Sequence, residues 1–202
     1  MKLRITNKNK STLKLELEGN CGGSLPKRAL PPSYPPVFEG EISADEAQEL
    51  CRLLQEQAKK ILVDYLAKSE RSSLQCRKLL QRKEFDGRTI EAAIRYCQEM
   101  NYISDARFAE TLIRSYQNRR ASKRAIVAKL REHQLPIQLW EPILEEHFSS
   151  EQASDDLREL LRKYCASKAE LPYNKLREKA FAYLFRKGFE LDDIQSAWDE
   201  LD

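Results

Sequence analysis

The chain has 202 residues, of which 41% are hydrophobic and 33% charged, with a net charge of +3 and only six glycines. That is apolar material for one large or two small domains, and high charge with few glycines favours helix over a loop-rich or all-β fold. No run approaches the roughly 18 consecutive apolar residues of a membrane span. Met1-Lys2-Leu3-Arg4-Ile5-Thr6 alternates polar and apolar residues instead of carrying the apolar block of a signal peptide, so a cytoplasmic protein with no membrane partner is expected.

Residues 1–40 differ in style from the rest. Leu3 and Ile5, then Leu13, Leu15 and Leu17, alternate with polar residues at a period of two, which reads as strand. Asn7-Lys8-Asn9-Lys10-Ser11 between them suits a hairpin turn. Gly19, Gly22, Gly23 and Gly40 fall here, as do Pro26, Pro31, Pro32, Pro35 and Pro36, so the segment reads as two or three short strands followed by a Pro-rich connector. A lone hairpin is marginal in water and should dock on the helices. Whether it serves as a docking arm, a cover for the first helical unit or lineage decoration is left open at this stage.

Helix begins at Ser43, which forms a capping box with Glu46. Ala47, Leu50, Leu54, Ala58, Ile61 and Tyr65 follow at spacings of three and four, as one long helix or two end to end. Ser69 to Ser73 interrupt the pattern. Ser72 with Gln75 is a second capping box, opening a helix through about Arg82.

From here an internal repeat organises the chain. Leu80 is followed at +5, +10 and +14 by Phe85, Ile90 and Ile94; Leu130 by Leu135, Trp140 and Leu144; Leu184 by Phe189, Ile194 and Trp198. Each window reads as the end of one helix, a tight turn plugged by the +5 residue, and a second helix whose +10 and +14 residues share a buried face. A basic helix precedes each turn, at Ser72–Arg82, Ser122–Arg131 and about Tyr173–Lys187. A first helix precedes that: Ala58–Leu66 in the first unit, Phe108, Leu112 and Tyr116 in the second, capped by Ser104 or Asp105, and Ala153, Leu157, Leu160 and Tyr164 in the third. The expected fold is mainly α: three tandem three-helix repeats at residues 41–103, 104–150 and 151–202, stacked as an elongated curved array, with a small N-terminal β-hairpin or strand segment. A helix end of this kind commonly needs a left-handed residue just before the plug. Gly188 meets that need; Glu84 and Gln134 would each adopt positive φ at a cost on the order of 1 kcal/mol. Pro142 must sit in the first turn of its helix or bend it.

Catalytic chemistry is not evident. Five cysteines, an odd number with no C-x-x-C pair, read as small buried hydrophobes and argue against a disulfide framework or a zinc ribbon. His133 and His147 read as surface residues, and no phosphate loop, dinucleotide fingerprint or nucleophile elbow is present. Asp155-Asp156, Glu145-Glu146 and Asp192-Asp193 point about 100° apart on a helix and form no dyad unaided. No enzyme, cofactor or metal site is expected, and a monomer is.

Charge is unevenly spread. Residues 71–131 carry 15 basic and 6 acidic side chains, a net of +9, whereas residues 132–160 carry 1 and 8, a net of −7. The candidate binding residues are Arg71, Arg77, Lys78 and Arg82 in the first unit, and Arg114, Arg119, Arg120, Lys123, Arg124 and Arg131 in the second. They lie largely opposite the apolar stripes of Leu79/Leu80 and Ile126/Leu130. Such faces are either ordinary solvated helix or a surface for phosphate or an acidic partner. Few aromatics accompany them, which disfavours reading of single-stranded bases.

At these residues the chain resembles the RecX family, regulators of the recombinase RecA. The resemblance runs from about Ile42 to Leu201, more loosely over the strands. It rests on Arg71-Ser72, Arg77, Lys78, Leu80, Arg82-Lys83 and Phe85; on Tyr102-Ile103-Ser104-Asp105 with Phe108-Ala109, Ile126 and Leu130; and on Leu184-Phe185-Arg186-Lys187-Gly188-Phe189. Tyr102 through Ala109 is the most specific piece. The chain departs from the family where Glu84 and Gln134 replace the turn glycine, and where Ala121-Ser122 stands in place of a glycine that often opens the middle helix. The resemblance implies a curved helical repeat without an active site that lies in the groove of the RecA–DNA filament, bridges neighbouring subunits and limits filament growth or activity; the basic faces of the first two units are expected to meet the filament, with direct contact to DNA left open. Two readings compete with it: a stand-alone helical repeat that binds nucleic acid, and a generic scaffold for an unrelated protein.

Overall fold

In the computed structural model, residues 1–18 and 21–201 are described; Gly19, Asn20 and Asp202 lie outside them. The chain divides into two compact units, Met1–Ser104 and Asp105–Asp202.

The first unit joins a sheet to three helices. Strands β1 (Lys2–Asn7), β2 (Thr12–Leu17), β3 (Cys21–Pro26) and β4 (Phe38–Glu41) form an antiparallel sheet in the order β3-β2-β1-β4. Leu3 faces Leu17 and Ile5 faces Leu15, so the alternating leucines and isoleucine form one fully buried face while Lys2, Arg4 and Glu16 point to water or the sheet's outer side. The sheet has one or two strands more than the alternation alone indicates. β3 reads Cys-Gly-Gly-Ser-Leu-Pro, with little intrinsic strand preference, and β4 has four residues at the edge.

Helix α1 (Ala44–Leu66) is a single helix, and its Ser43/Glu46 capping box is formed. It fully buries Ala47, Leu50, Leu54, Ala58 and Leu62, while Ile61 and Tyr65 lie at the edge of the core. Helix α2 (Ser73–Arg82) starts at the Ser72/Gln75 capping box, and α3 (Gly87–Glu99) at Asp86. The sheet and α1–α3 share one core. One sequence expectation is corrected here: Cys21 of β3 and Cys51 of α1 are joined in a disulfide across a separation of 30 residues, so this pair is not two free buried thiols. Docking of β3 on α1 brings the two together, a relationship that spacing along the chain does not encode. Cys76, Cys97 and Cys165 are free thiols, the first two buried.

The second unit contains two three-helix sets, each with its own core. Helices α4 (Asp105–Gln117), α5 (Lys123–Glu132) and α6 (Ile137–His147) close around Ala109, Ile113, Ile126, Leu130 and Trp140. Helices α7 (Ser150–Ala166), α8 (Tyr173–Arg186) and α9 (Leu191–Asp199) close around Leu161, Ala180, Leu184, Ile194 and Trp198. Pro142 lies in the second turn of α6 on its exposed side, where water can reach the Gln138 carbonyl that the proline cannot pair. Among the described residues, no helix is long and apolar enough to cross a membrane.

The three corners have one geometry. All twelve residues of the spaced quartets are buried. At each corner the plug's amide donates to the anchor's carbonyl, Phe85 to Leu80 at 3.2 Å, Leu135 to Leu130 at 3.3 Å and Phe189 to Leu184 at 3.2 Å. The preceding amide donates to the anchor's successor: Glu84 to Gln81 at 2.8 Å, Gln134 to Arg131 at 2.8 Å, Gly188 to Phe185 at 2.9 Å. These are Schellman motifs, which require a left-handed residue before the plug. Glu84, Gln134 and Gly188 supply it, with φ of 62°, 54° and 91°.

Candidate partner-binding surface

The middle helices of the first two sets, α2 and α5, are each aimed by the corner that ends them and by a serine at their start. Ser72 and Ser122 accept from the amides of Gln75 (3.3 Å) and Ala125 (3.2 Å), starting α2 and α5 with their apolar residues turned inward. Cys76 and Leu80, and Ile126 and Leu130, then face their cores, which leaves the cationic residues of both helices outside.

Local fields differ from one candidate cation to the next. In the first unit the Arg71 guanidinium lies over the Tyr65 ring at 4.7 Å, and Arg77 pairs with Glu91 of α3. Lys78 and Arg82 are exposed and, among the described residues, have no carboxylate within ion-pair reach; with Tyr65, Gln75 and Gln81 they border a shallow hollow of about 650 Å³. In the second unit Arg114 pairs with Glu110 one helical turn away at 2.6 Å, and Arg119 lies over Tyr116 at 5.9 Å. Lys123 lies over Phe148 at 5.9 Å. Arg124 reaches Glu190 at 3.3 Å and stacks over Phe185 at 5.1 Å. Arg131 is exposed and, among the described residues, unpaired. Exposed pairs such as Arg114–Glu110 are worth at most about 1 kcal/mol, so they yield readily to a polyanion.

Arg120 has a different role. It is the left-handed residue that ends α4, with φ of 53°, and it bridges Asp156 at 3.1 Å and Glu159 at 2.6 Å on α7. Its neighbours complete another Schellman motif, Ala121 to Tyr116 at 3.0 Å and Arg120 to Gln117 at 2.7 Å. The signal was present in the sequence as the same +4/+5 offset counted from Tyr116. Arg120 thus braces one three-helix set against the next instead of facing outward.

Sequence reasoning also missed how corners are finished. The Ser122 hydroxyl donates to the carbonyl of Lys187, the last residue of the third corner's helix end, at 3.2 Å. Ser24 of β3 does the same to Lys83 of the first corner at 2.7 Å. Asp86 completes the sheet's attachment: its carboxylate accepts from the amides of Gly22 (3.0 Å), Arg88 (2.9 Å) and Thr89 (3.1 Å). Burial alone would push its pKa up, but a hydrogen bond from the Thr89 side chain together with these amides outweighs burial and holds it below the ordinary aspartate value. Among the described residues no group of three or more His, Cys, Asp or Glu is placed to hold a metal ion. His133 packs edge-on against Phe108 at 4.7 Å, and Asp155 and Asp156 are engaged by Arg158 and Arg120.

The model of the RecX third three-helix domain matches residues 150–198, and that of the RecX second three-helix domain matches residues 104–141. The regulatory protein RecX of Staphylococcus aureus (strain Newman) is 28% identical over 144 residues, covering 69% of this chain and 51% of that protein. The chain therefore spans about half the length of the curated relatives it matches. A crystal structure of regulatory protein RecX superposes with a TM-score of 0.67 at 18% identity, covering 98% of this chain and 99% of the other. That of RecX from Lactobacillus salivarius gives 0.63 at 19%, covering 74% and 97%. These two likenesses bear on the fold.

Proposed function

We propose, on the premise that this chain belongs to the RecX family, that it is a non-catalytic cytoplasmic regulator that binds the RecA–DNA filament and restrains RecA activity. The observation that carries this reading is the outward cationic face repeated on two equivalent helices, Lys78 and Arg82 on α2 and Lys123, Arg124 and Arg131 on α5, in a chain of this family. Corners with buried plugs hold these faces rigid, so the charges are positioned before a partner arrives. A filament coated with nucleic-acid phosphate and acidic side chains attracts such faces, and many weak contacts add up along it.

Residues whose charge has no ion-pair partner among the described residues give the cleanest test. RecA ATP hydrolysis on single-stranded DNA is followed while the chain is titrated in, as wild type, as Lys78→Glu/Arg82→Glu and as Lys123→Glu/Arg131→Glu. Wild type suppresses hydrolysis, and each reversal raises the half-inhibitory concentration by about tenfold or more, with suppression weakening as salt rises. Equal suppression by wild type and both variants would falsify the surface assignment.

A further inference from the structure

A groove of about 660 Å³ runs through the second unit between α5 on one side and α7 with α9 on the other. Its size falls in the range of roughly 300–1,000 Å³ typical of built binding clefts. The two three-helix sets keep separate cores, and what joins them lies at the edges: Arg120 to Asp156 and Glu159, Ser122 to Lys187, Arg124 to Glu190. These polar braces fix the walls and leave an apolar floor between them, in which Val127, Phe148 and Ala153 are partly exposed and Leu157, Phe189 and Ala197 lie buried beneath.

The walls differ in charge at their unengaged positions, Arg131 on one and Asp193 on the other, while Arg124 is paired with Glu190 and Glu200 with Arg158. On α5, Arg124, Ala128 and Arg131 recur at i, i+4 and i+7, a positive edge with a small residue at its centre. Facing it, Asp193 of α9 and Glu200 just beyond it stand seven residues apart with Ala197 between, a negative edge. Arg158 holds Glu200 at 2.6 Å. Both walls are helices, and the groove offers no unpaired strand edge, so an added strand has nothing to pair with.

We infer that this groove receives one amphipathic α-helix of a partner protein, whose apolar stripe covers the floor and whose two flanks are charged oppositely. The acidic flank lies along Arg124 and Arg131 and the basic flank along Asp193 and Glu200. Burial of the floor supplies affinity, and the two charged walls fix which way round the helix sits, because reversing its flanks sets like charges against each other. This goes beyond the filament reading in naming a cleft and its occupant, while sharing with that reading Lys123, Arg124 and Arg131, which border the groove as well as the outward face of α5.

The probe is a displayed library of amphipathic helices of about 18 residues, five turns, with both flank polarities represented, selected on the full chain. Ala128→Arg serves as competitor, because this exposed alanine sits over the groove and its replacement fills the mouth while leaving both cores intact; Ser154→Arg on α7 is the second blocker. The expected survivors carry an apolar stripe with one acidic and one basic flank, bind wild type, lose about tenfold or more in affinity for both blockers, and lose as much when their flanks are exchanged. A selection that enriches nothing over the blocked competitors, or survivors indifferent to flank exchange, overturns the inference. RecA hydrolysis plays no part in this readout, so its result stands apart from that of the charge reversals above.

Discussion

The Ser122 hydroxyl accepts from the Ala125 amide and donates to the Lys187 carbonyl, both at 3.2 Å, so one oxygen starts α5 and finishes α8. A Schellman turn satisfies the anchor's carbonyl and the next one but leaves the final residue's carbonyl without a backbone partner. At the first corner a strand residue, Ser24, supplies the same hydroxyl to Lys83. Two unrelated local structures thus solve one hydrogen-bonding problem.

Removal of the Ser122 hydroxyl should therefore cost more than loss of a cap alone. Ser122→Ala is expected to destabilise the chain by about 1–3 kcal/mol, the sum of a lost N-cap and a part-buried carbonyl left unpaired. Ser24→Ala, which touches no helix start, should cost about 1 kcal/mol. Denaturant unfolding gives both values, and amide exchange at Phe189 and Glu190 should quicken in Ser122→Ala. A Ser122→Ala cost of about 0.5 kcal/mol or less, with no change in exchange at Phe189 and Glu190, would show that the bond to Lys187 contributes nothing.

The left-handed positions predict substitutions of opposite sign. Gln134→Gly removes the steric cost of φ at 54° and should stabilise by about 0.5–1 kcal/mol. Gly188→Ala should destabilise by more than about 1 kcal/mol. There φ is 91°, and an added Cβ would stand 2.6 Å from Ser122 Oγ and 3.3 Å from Ala125, so α5 must give way. Thermal melts of the two variants decide it; a shift of the same sign in both would contradict the corner geometry.

Asp86 predicts an acid-sensitive first unit. Its folded pKa lies below the ordinary value of 3.8, so the stability it contributes is present above that value and is lost as pH falls through the folded one. Asp86→Asn keeps a capping oxygen but loses the charge and one acceptor toward Gly22. The variant should melt below wild type at neutral pH, and the gap should narrow as pH drops beneath 3.8. A gap that stays constant down to acid pH would assign the loss to shape and not to ionisation.

The Cys21–Cys51 bond should be measurable both as a link and as stability. Non-reducing peptide mapping is expected to join these two positions and to leave Cys76, Cys97 and Cys165 open to alkylation once unfolded. Closing a loop of this size is worth about 3 kcal/mol, so a reductant should lower the melting temperature of wild type and leave a Cys21→Ser/Cys51→Ser variant unmoved. A reductant effect equal in both would place its origin elsewhere.

The repeat was legible from sequence because a Schellman turn imposes fixed offsets: the plug must follow its anchor by five residues, and the next helix must return two apolar residues to the same core. Glu84 and Gln134 could be assigned positive φ on that logic alone. Asn101 and Arg120 share the conformation but went unnoticed, since Tyr102 and Ala121 behind them are not deeply buried plugs. β3 was hard to read because glycines that suit close approach carry no strand signal. The cystine could not be read, because pairing depends on how β3 lies on α1. For the binding surface, the sequence reveals which residues are cationic. It cannot reveal that Arg120 is committed to two carboxylates on α7 while Lys78, Arg82 and Arg131 are not.

Phe85 lies so close to β3 that a Cβ on Gly23 would fall 2.4 Å from its ring, leaving no room for any side chain there. The sheet therefore occupies, at the first corner, the berth that α5 fills at the third. Without residues 1–41 this berth would stand vacant and greasy, with an idle carbonyl at Lys83. The N-terminal sheet thus serves as a permanent lid on the first corner, shielding its plug and occupying its last open carbonyl.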